Sequence, residues 1–419
     1  MHVVFFGDQH VESAGGAQVS MRLQRRYLER AGHTVTVVAP RMFAPHPSDT
    51  AYIDLPAIPI TPDREYSLSV PGRATDRAVD AALAGRPPVD LVHVQADFWG
   101  ALIGHRFARR HGLPVVHTMH NRVDVGIAAT APFPRAVLAV LNVWARRGLP
   151  PRRRIASPDS DAAAARVRIR EPRPNPRRSA RDGWAYLRRF AQLSDAVTAP
   201  SAHFARRLEQ HGVFPAVDVV WNGIDDAVLE DVTSGGAASR PPGRPRLVWA
   251  GRMSPEKRLL PFLEAVVESG IAADITVIGG GGQLRAARRI IERERPAASV
   301  EFAGRLPYAE TLRRIAAADA MVQTSIGFET QGMTVFEAAS LGTPSIVSDP
   351  DIASELGSGV WTPDDGSVAA LARVLRRAAA DIVAGDAPQP DPGIRDAFRQ
   401  SSRTAAMTVV YERLLRTRA

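Results

Sequence analysis

Apolar residues fall along this chain in short runs that alternate with stretches of helical spacing. In the first half, runs rich in β-forming residues occupy 2–8, 34–40, 91–95, 114–120, 195–201 and 216–225. Helical patterns separate them, for example after 13–18 and across 99–111. Strands that alternate with helices predict parallel sheets joined by right-handed crossovers.

A second alternation follows a segment rich in glycine, proline and serine at 232–245, which has the composition of a linker. The predicted fold class is α/β, with two doubly wound, Rossmann-like domains that face a cleft. We expect the first domain at 1–230, the linker at 231–245 and the second domain at 246–396. Ligands of such sheets bind beyond the carboxyl ends of the strands. The apolar runs of the second half are 246–251, 274–282, 300–304, 319–325 and 343–349.

The composition is that of a globular protein, with 45% hydrophobic and 23% charged residues. The absence of cysteine excludes disulfides and thiolate metal sites, and it is compatible with a reducing cytoplasm. The opening residues MHVVFFGDQH predict a first strand rather than a signal peptide. No apolar run approaches the length of about 18 residues that a membrane-spanning helix needs.

The net charge of +9 is concentrated in one insertion-like segment at about 131–190, which holds 15 arginines and 4 acids. The rest of the chain therefore carries about −2. Within the segment, AVLAVLNVWARRGLPPRRR (136–154) joins an apolar stretch to a basic flank, which suits the surface of an anionic membrane. The alternative is a core helix followed by a disordered loop at 150–180. Aromatic residues are too sparse here to favour nucleic-acid binding.

Glycines occupy the turns after the first strand of each half. Gly15 and Gly16 precede a helical pattern, where a bare backbone lets an anion approach the helix N-terminus. A tight turn would explain that pair equally well. The four glycines beginning at Gly279 exceed what a turn needs, so we expect a ligand to approach the chain there.

One lysine, Lys257, stands among 52 arginines, in a loop predicted to face the cleft. Pro255 and Glu256 before it are typical of the start of a helix. Arg252, five residues upstream, could face the same anion, and a diphosphate can use both a planar fork and a compact point charge. The alternative is two solvated surface cations.

Two acids, Glu329 and Glu337, stand eight residues apart with Gly332 between them. The pattern predicts that Glu329 lies in a loop after a strand and that Glu337 lies in the first turns of a helix. That helix would begin near Gly332 and Met333, whose backbone could donate to a phosphate. Carboxylates suit polyols because they accept paired hydrogen bonds. A capping acid and a surface acid remain the alternative.

Taken together, these motifs resemble the retaining, nucleotide-sugar-dependent glycosyltransferases of family 4, which have the GT-B fold. The resemblance extends over nearly the whole chain except about 122–185. The residues that carry it are NGID (222–225), Gly251–Arg252 with Glu256–Lys257, the four-glycine loop, Glu329 with Glu337, AASLGTPSIVSD (338–349), Gly15–Gly16, His93 and TMHN (118–121).

The resemblance implies roles for these residues. Arg252 and Lys257 would bind the donor diphosphate and stabilise the leaving nucleotide, and Glu337 would bind the ribose hydroxyls. Glu329, with the backbone of Gly332 and Met333, would bind the hydroxyls of the donor sugar.

Further roles follow on the opposite side of the cleft and around the base. Gly15 and Gly16 would contact the donor phosphate from the first domain, and His120 would lie near the reacting sugar. The loop at Gly304–Arg305–Leu306 would hold the base, and Gly279 of the four-glycine loop would be among the residues that bind the donor. No metal-ligand spacing is present, so we expect no metal. The helical pattern at 397–419 is expected to cross back onto the first domain.

The motif FETQGMT (328–334) resembles the corresponding motif of family members that glycosylate diacylglycerol and other membrane lipids. We therefore expect transfer of a hexose to a membrane lipid or lipid-linked acceptor, by a cytoplasmic protein at the inner face of the membrane. One alternative is a small soluble acceptor, such as a polyol phosphate or a growing glycan. Another is a sugar-nucleotide epimerase or a non-catalytic protein of the same fold. The donor stays open among UDP-glucose, UDP-galactose, UDP-GlcNAc and GDP-mannose.

Overall fold

A computed structural model describes residues 1–13, 15–130, 133–149, 182–234 and 243–417. Two parallel sheets flanked by helices form two Rossmann-like domains, so the predicted fold class is confirmed. Residues 150–181 of the predicted basic insertion and 235–242 of the predicted linker lie outside the described residues.

The first domain is built on a seven-stranded sheet in which every neighbouring pair of strands is parallel. The domain has nine described strands: β1 (His2–Gly7), β2 (Thr34–Pro40), β3 (Tyr52–Leu55), β4 (Ile58–Pro59), β5 (Ser67–Leu68), β6 (Leu91–Gln95), β7 (Val115–Thr118), β8 (Ala196–Ala199) and β9 (Asp218–Val219). Two of them, β4 and β5, form a separate antiparallel hairpin outside the large sheet. The order across the large sheet is β3-β2-β1-β6-β7-β8-β9. Its described helices are α1 (Gly16–Arg30), α2 (Arg73–Leu83), α3 (Trp99–His111), α4 (Val123–Thr130), α5 (Pro134–Gly148), α6 (Gly183–Ala191) and α7 (Ala202–Gln210).

The second domain repeats this plan with a six-stranded parallel sheet. The strands are β10 (Arg246–Ala250), β11 (Asp274–Ile278), β12 (Ser299–Gly304), β13 (Ala320–Gln323), β14 (Ser345–Val347) and β15 (Val360–Trp361). Their order is β12-β11-β10-β13-β14-β15. The remaining helices are α8 (Asp226–Ser234), α9 (Leu259–Ser269), α10 (Leu284–Glu294), α11 (Tyr308–Ala317), α12 (Met333–Ser340), α13 (Pro350–Leu356), α14 (Val368–Ala384), α15 (Gly393–Phe398) and α16 (Gln400–Arg416).

Each sheet has a point where the strand order reverses, between β1 and β6 in the first domain and between β10 and β13 in the second. At such a switch point the two crossovers leave on opposite faces, which opens a crevice beyond the carboxyl ends of the strands. The loops that leave β1 and β10 carry the Gly15–Gly16 pair and Lys257, and the loop that leaves β13 carries Glu329. The chain order therefore places the predicted site residues at both crevices.

The last helix, α16, packs on the first domain rather than on the second. Its Met407, Val410 and Tyr411 are buried against the apolar side chains of β1 and β2. The hydroxyl of Tyr411 lies 2.6 Å from His93 Nδ1 in β6. The chain thus returns to the first domain after the second is complete.

Two of the predicted elements take a different form in the structure. Of the run at 216–225, only Asp218–Val219 form a strand, because the residues after it cross to the second domain, where Ile224 bridges to Arg399. The helix predicted at Pro255 is a short 3₁₀ turn (Pro255–Lys257). Arg258 has a φ of 55° and separates this turn from α9, because a left-handed residue cannot continue a right-handed helix.

No helix among the described residues has both the length and the apolar character needed to cross a membrane.

Candidate active site

The N-termini of two helices, one from each domain, meet across the cleft. A β-carbon at Gly16, the first residue of α1, would lie 3.6 Å from the sulfur of Met333, the first residue of α12. The preceding residues, Gly15 and Gly332, have no side chain that could take up the first N–H groups of these helices. Both positive dipole ends and their free donors therefore converge on one place, which is suited to an anion.

Lys257 is paired with an acid in the loop that leads into α12. Its Nζ is 2.5 Å from Glu329 Oε1, which also accepts a hydrogen bond of 2.8 Å from the Ser325 hydroxyl. The Lys257 carbonyl accepts from Thr324 Oγ1 at 2.7 Å, so its backbone is fixed to the end of β13. The two loops at the switch point of the second domain are thus joined by a lysine–glutamate pair.

Arg252 follows β10 but has different partners from Lys257. Its guanidinium donates to Glu256 Oε1 at 2.9 Å and lies 3.3 Å from Ser254 Oγ. Its side chain is 65% exposed, against 25% for Lys257. A bound diphosphate would therefore find an exposed, adaptable arginine on one side and a lysine held in place on the other.

Glu337 is buried within α12, and its Oε1 accepts a hydrogen bond of 2.9 Å from the hydroxyl of Tyr308. Burial raises the pKa of Glu337 to about 7, and the hydrogen bond from Tyr308 only partly opposes this shift. The sequence did not indicate Tyr308, because it stands 29 residues before Glu337 and no local spacing connects them.

The affinity for a nucleotide sugar should depend on the ionisation of Glu337. An ionised carboxylate accepts strong, charge-assisted hydrogen bonds from two ribose hydroxyls, whereas the protonated form that burial favours below about pH 7 is a weaker acceptor and carries a donor of its own. We expect the Kd of UDP-glucose to be about tenfold higher at about pH 6 than at about pH 8. Titration calorimetry measures this, and a nucleotide sugar is the suitable probe because its diphosphate does not titrate in that range.

Glu337→Gln is the matched variant, and its Kd should be nearly independent of pH. An equally steep dependence in that variant would contradict the assignment.

The pH dependence of folding stability has the opposite sign to that of binding. The raised pKa means that the buried neutral form stabilises the fold below the ordinary value of 4.5, and this contribution is lost as the pH rises through about 7.

The four-glycine loop has a structural reason that differs from the expected one. A β-carbon at Gly279 would lie 1.9 Å from the Gly251 carbonyl oxygen, and one at Gly281 would lie 2.6 Å from the Met253 carbonyl oxygen. Two of the four glycines therefore allow the loop after β11 to pack on the loop after β10. Arg305 lies beside the same loop, since a β-carbon at Gly280 would be 3.6 Å from its Nε.

His120 follows β7 and is held by its backbone. Its N–H donates to Asp97 Oδ2 at 3.2 Å, and its carbonyl accepts from Thr330 Oγ1 of the second domain at 3.0 Å. Burial lowers the pKa of His120 to about 4, although nearby Asp97 opposes the shift. The ring is therefore neutral near pH 7, and its buried Nε2 has no hydrogen-bond partner within the described chain. That atom is available to a ligand hydroxyl.

The neighbouring histidines have structural partners. His117, on β7, is completely buried, and its Nε2 lies 2.7 Å from the Ala96 carbonyl. His93 lies between Tyr411 and Thr118, each at 2.6 Å. His120 is thus the histidine that projects beyond the strand end.

Two acids that sequence reasoning missed support the loops around His120. Asp97, fully buried, accepts from the Asn121 N–H at 3.0 Å and from its amide at 2.7 Å. Asp8 accepts the backbone N–H groups of Asp97, Phe98 and Gly100. Burial, reinforced by the charge of Asp97, raises the pKa of Asp8 to about 7. Their signal in the sequence was an acid directly after β1 and another just after β6.

Among the described residues one group, His10, His46 and Asp54, brings three possible metal-ligand atoms within 4.8 Å of one another. His46 Nδ1 faces the Ala44 carbonyl at 2.9 Å, which would leave its other nitrogen free to coordinate. His10 Nδ1 instead accepts from the Glu12 N–H at 3.2 Å. This places the proton of the neutral ring on Nε2, 3.2 Å from Asp54 Oδ1. A metal would need a lone pair on the coordinating nitrogen of each histidine. The protonated Nε2 of His10 offers none, so the group fits a histidine–aspartate contact better than a metal site.

Two Rossmann-like domains, helix N-termini that meet between them and a lysine–carboxylate pair at a switch point are the arrangement expected of a GT-B glycosyltransferase. Comparison with family models agrees with this class. Residues 14–228 match the model of Glycosyltransferase Family 4, and residues 237–382 match that of Glycosyl transferases group 1. The chain belongs to glycosyltransferase family 4.

Individual relatives are distant. The α-monoglucosyldiacylglycerol synthase of Streptococcus pneumoniae is 23% identical over 363 residues, which is 83% of this chain and 70% of that protein. Among solved structures, Anabaena HepE in complex with UDP and glucose superposes with a TM-score of 0.63 at 15% identity, covering 99% and 100% of the two chains. The catalytic domain of Arabidopsis thaliana starch synthase IV, bound to ADP and acarbose, gives 0.59 at 13% identity and 99% coverage of both chains. These similarities show the fold.

Proposed function

We propose that this protein is a retaining, metal-independent glycosyltransferase that moves a hexose from a nucleotide sugar to a membrane lipid or lipid-linked acceptor at the cytoplasmic membrane surface. The observations that carry the proposal are the Lys257–Glu329 pair, in the loop that leads into α12, and the two facing helix N-termini. The streptococcal relative supports a lipid acceptor by its name, and the Anabaena structure, which holds UDP and glucose, supports a UDP-sugar donor.

The proposed chemistry requires the bond between the sugar and the diphosphate to break while negative charge accumulates on the leaving phosphate. Lys257, Arg252 and the N–H groups at the start of α1 and α12 stabilise that charge, and electrostatic stabilisation of this kind supplies most of the rate enhancement in many enzymes. Glu329 accepts from hydroxyls of the sugar, and His120 presents its unpaired Nε2 to a hydroxyl near the reacting carbon. Closed domains exclude water that would otherwise hydrolyse the donor.

The proposed membrane contact is the outward face of α5 and the residue before it. This α5 apolar face consists of Phe133, Val137, Val140 and Val143, which recur every three or four residues and are exposed by 74%, 37%, 67% and 43%. The opposite face, with Leu138 and Ala145, is buried in the core of the first domain. Exposed Arg135, Arg146 and Arg147 flank the apolar stripe. An apolar stripe beside arginines suits the interface of an anionic bilayer.

The α5 apolar face should bind vesicles that contain anionic lipid. In a co-sedimentation assay, Val140→Ser combined with Val143→Ser is expected to weaken binding about tenfold, because two apolar side chains that enter the bilayer are replaced by polar ones. Val383→Ser is the matched control, since Val383 is 71% exposed on α14 of the second domain. Its binding should equal that of the parent protein.

The same vesicles test the acceptor. A screen of nucleotide sugars, beginning with UDP-glucose, should show donor turnover that rises when vesicles of anionic lipid and diacylglycerol are added. Turnover that is indifferent to vesicles, but rises with a soluble polyol phosphate or glycan, would overturn the lipid acceptor and retain the glycosyltransferase.

A further inference from the structure

One carboxylate of the second domain caps a helix of the first domain. Glu355, in α13, accepts the backbone N–H of Ala202 at 2.7 Å and that of His203 at 2.9 Å. These are the first two residues of α7, whose initial N–H groups have no partner within the helix. The same carboxylate accepts from Trp221 Nε1 at 2.9 Å and from His203 Nδ1 at 2.7 Å. Four donors therefore converge on Glu355, and the positive end of α7 faces its charge.

The pair formed by Glu355 and His203 is shielded from solvent, with side chains 4% and 5% exposed. Burial alone would raise the pKa of Glu355, but the hydrogen bonds from the His203 side chain and from the two amides outweigh it and lower that pKa. Glu355 is therefore ionised near neutral pH. Removing one donor from a buried, hydrogen-bonded carboxylate leaves its charge poorly satisfied, so such groups are sensitive to single substitutions.

The start of α7 also touches the loop that holds Glu329. His203 Nε2 lies 3.4 Å from the Glu329 carbonyl oxygen, and the Ser201 hydroxyl donates to the Thr330 carbonyl. Further along this loop, the Thr330 hydroxyl donates to the His120 carbonyl at 3.0 Å. The Glu329–Thr330 backbone and the Thr330 side chain are thus held by the first domain.

We propose that Glu355 is a positioning residue, which fixes the start of α7 so that Ser201 and His203 hold the Glu329–Thr330 backbone in its working place. Glu355 touches neither donor nor acceptor in this proposal. It completes the site only when the two domains are closed, because the helix that it caps lies across the domain boundary. The inference rests on the proposed function for its effect on turnover, whereas its effect on domain closure stands by itself.

The test combines kinetics with the shape of the full-length protein in solution. Glu355→Gln keeps the size of the side chain but places an amide against the N–H donors. We expect kcat for transfer from UDP-glucose to fall about 10- to 100-fold, with the Kd for UDP changed less than about threefold. This split arises because the nucleotide is held by Arg252, Lys257 and Glu337, which Glu355 does not contact. Small-angle X-ray scattering in the presence of UDP should show a larger radius of gyration than for the parent.

Asp351→Asn is the matched control, because Asp351 lies on the same helix and pairs with Arg207 of α7 across the same boundary. The side chain of Asp351 is 39% exposed and that of Arg207 is 35% exposed, so this pair should contribute little. We expect kcat within about twofold of the parent value and an unchanged radius of gyration. His203→Asn, which keeps an N–H near the position of Nδ1 but loses the far nitrogen, should fall between the parent and Glu355→Gln.

Two results would overturn the proposal. One is a Glu355→Gln protein that matches Asp351→Asn in both kcat and radius of gyration. The other is a loss of UDP affinity in step with kcat, which would show that the donor domain itself is damaged. If the parent protein transfers no sugar to any acceptor, the proposed function fails, and the scattering comparison still decides whether Glu355 holds the domains together.

Discussion

Replacing Lys257 with alanine is expected to lower kcat for sugar transfer by about 10²- to 10³-fold, the loss typical of removing one group that stabilises developing negative charge. Its Nζ lies at the Glu329 carboxylate, in the loop that leads to the N-terminus of α12. The fold should be unaffected, because the side chain is partly exposed and packs in no apolar core. Steady-state kinetics with UDP-glucose, together with thermal unfolding, measure the two effects.

Glu329→Ala should show a loss of similar size, because it removes the partner of Lys257 and the proposed acceptor of sugar hydroxyls. Arg293→Ala, a charge-matched control at a side chain 75% exposed on α10, should be fully active. Unchanged turnover in Lys257→Ala or Glu329→Ala would contradict the assignment of these residues to the donor site.

The Lys257→Arg variant tests whether this position requires lysine in a chain that has 52 arginines and one lysine. The ammonium group of Lys257 lies 2.5 Å from Glu329 Oε1 and 5.9 Å from the centre of the Phe328 ring. A planar guanidinium is larger than an ammonium group and its terminal nitrogens reach farther from the backbone, so it would have to displace one of these neighbours. We expect at least about a tenfold loss of kcat. Near-normal activity would mean that the lone lysine is a coincidence.

Replacing Gly279 with alanine is expected to destabilise the second domain by roughly 3–5 kcal/mol. Gly279 has a φ of 124°, and a β-carbon there would stand 1.9 Å from the Gly251 carbonyl oxygen. Neither atom belongs to a flexible side chain, so the loops after β10 and β11 would have to separate. Thermal unfolding should show a fall in Tm on the order of 10 °C.

Gly282→Ala is the control from the same loop. A β-carbon at Gly282 would meet nothing within 4 Å, so this variant should unfold within about 2 °C of the parent. A Gly279→Ala protein as stable as Gly282→Ala would show that the two loops are not packed as described. Loss of activity with unchanged stability would instead support the prediction that a ligand approaches the chain at Gly279.

The strands that lead to the site could be predicted because they are buried on both faces. Parallel strands covered by helices are continuous apolar runs, and β2 and β6 were predicted with the bounds that the structure gives them. The edge strand β15 and the hairpin of β4 and β5 were not predicted, since strands of two residues are too short to carry a pattern. Residues 216–225 are apolar mainly because they pass between the two domains, and only two of them form a strand.

The residue types at the ends of the strands can be predicted from the sequence alone. Lys257 and Glu329 each follow a strand of one parallel sheet, so both are expected beyond the carboxyl ends of its strands, where ligands bind. The pairing of side chains depends on tertiary packing, because the partners are distant in the chain. Lys257 meets an acid 72 positions away, Glu337 meets Tyr308, and Glu355 caps a helix that begins 153 positions before it. The contacts arise from the packing of two domains, which leaves no periodic trace in either partner's local sequence.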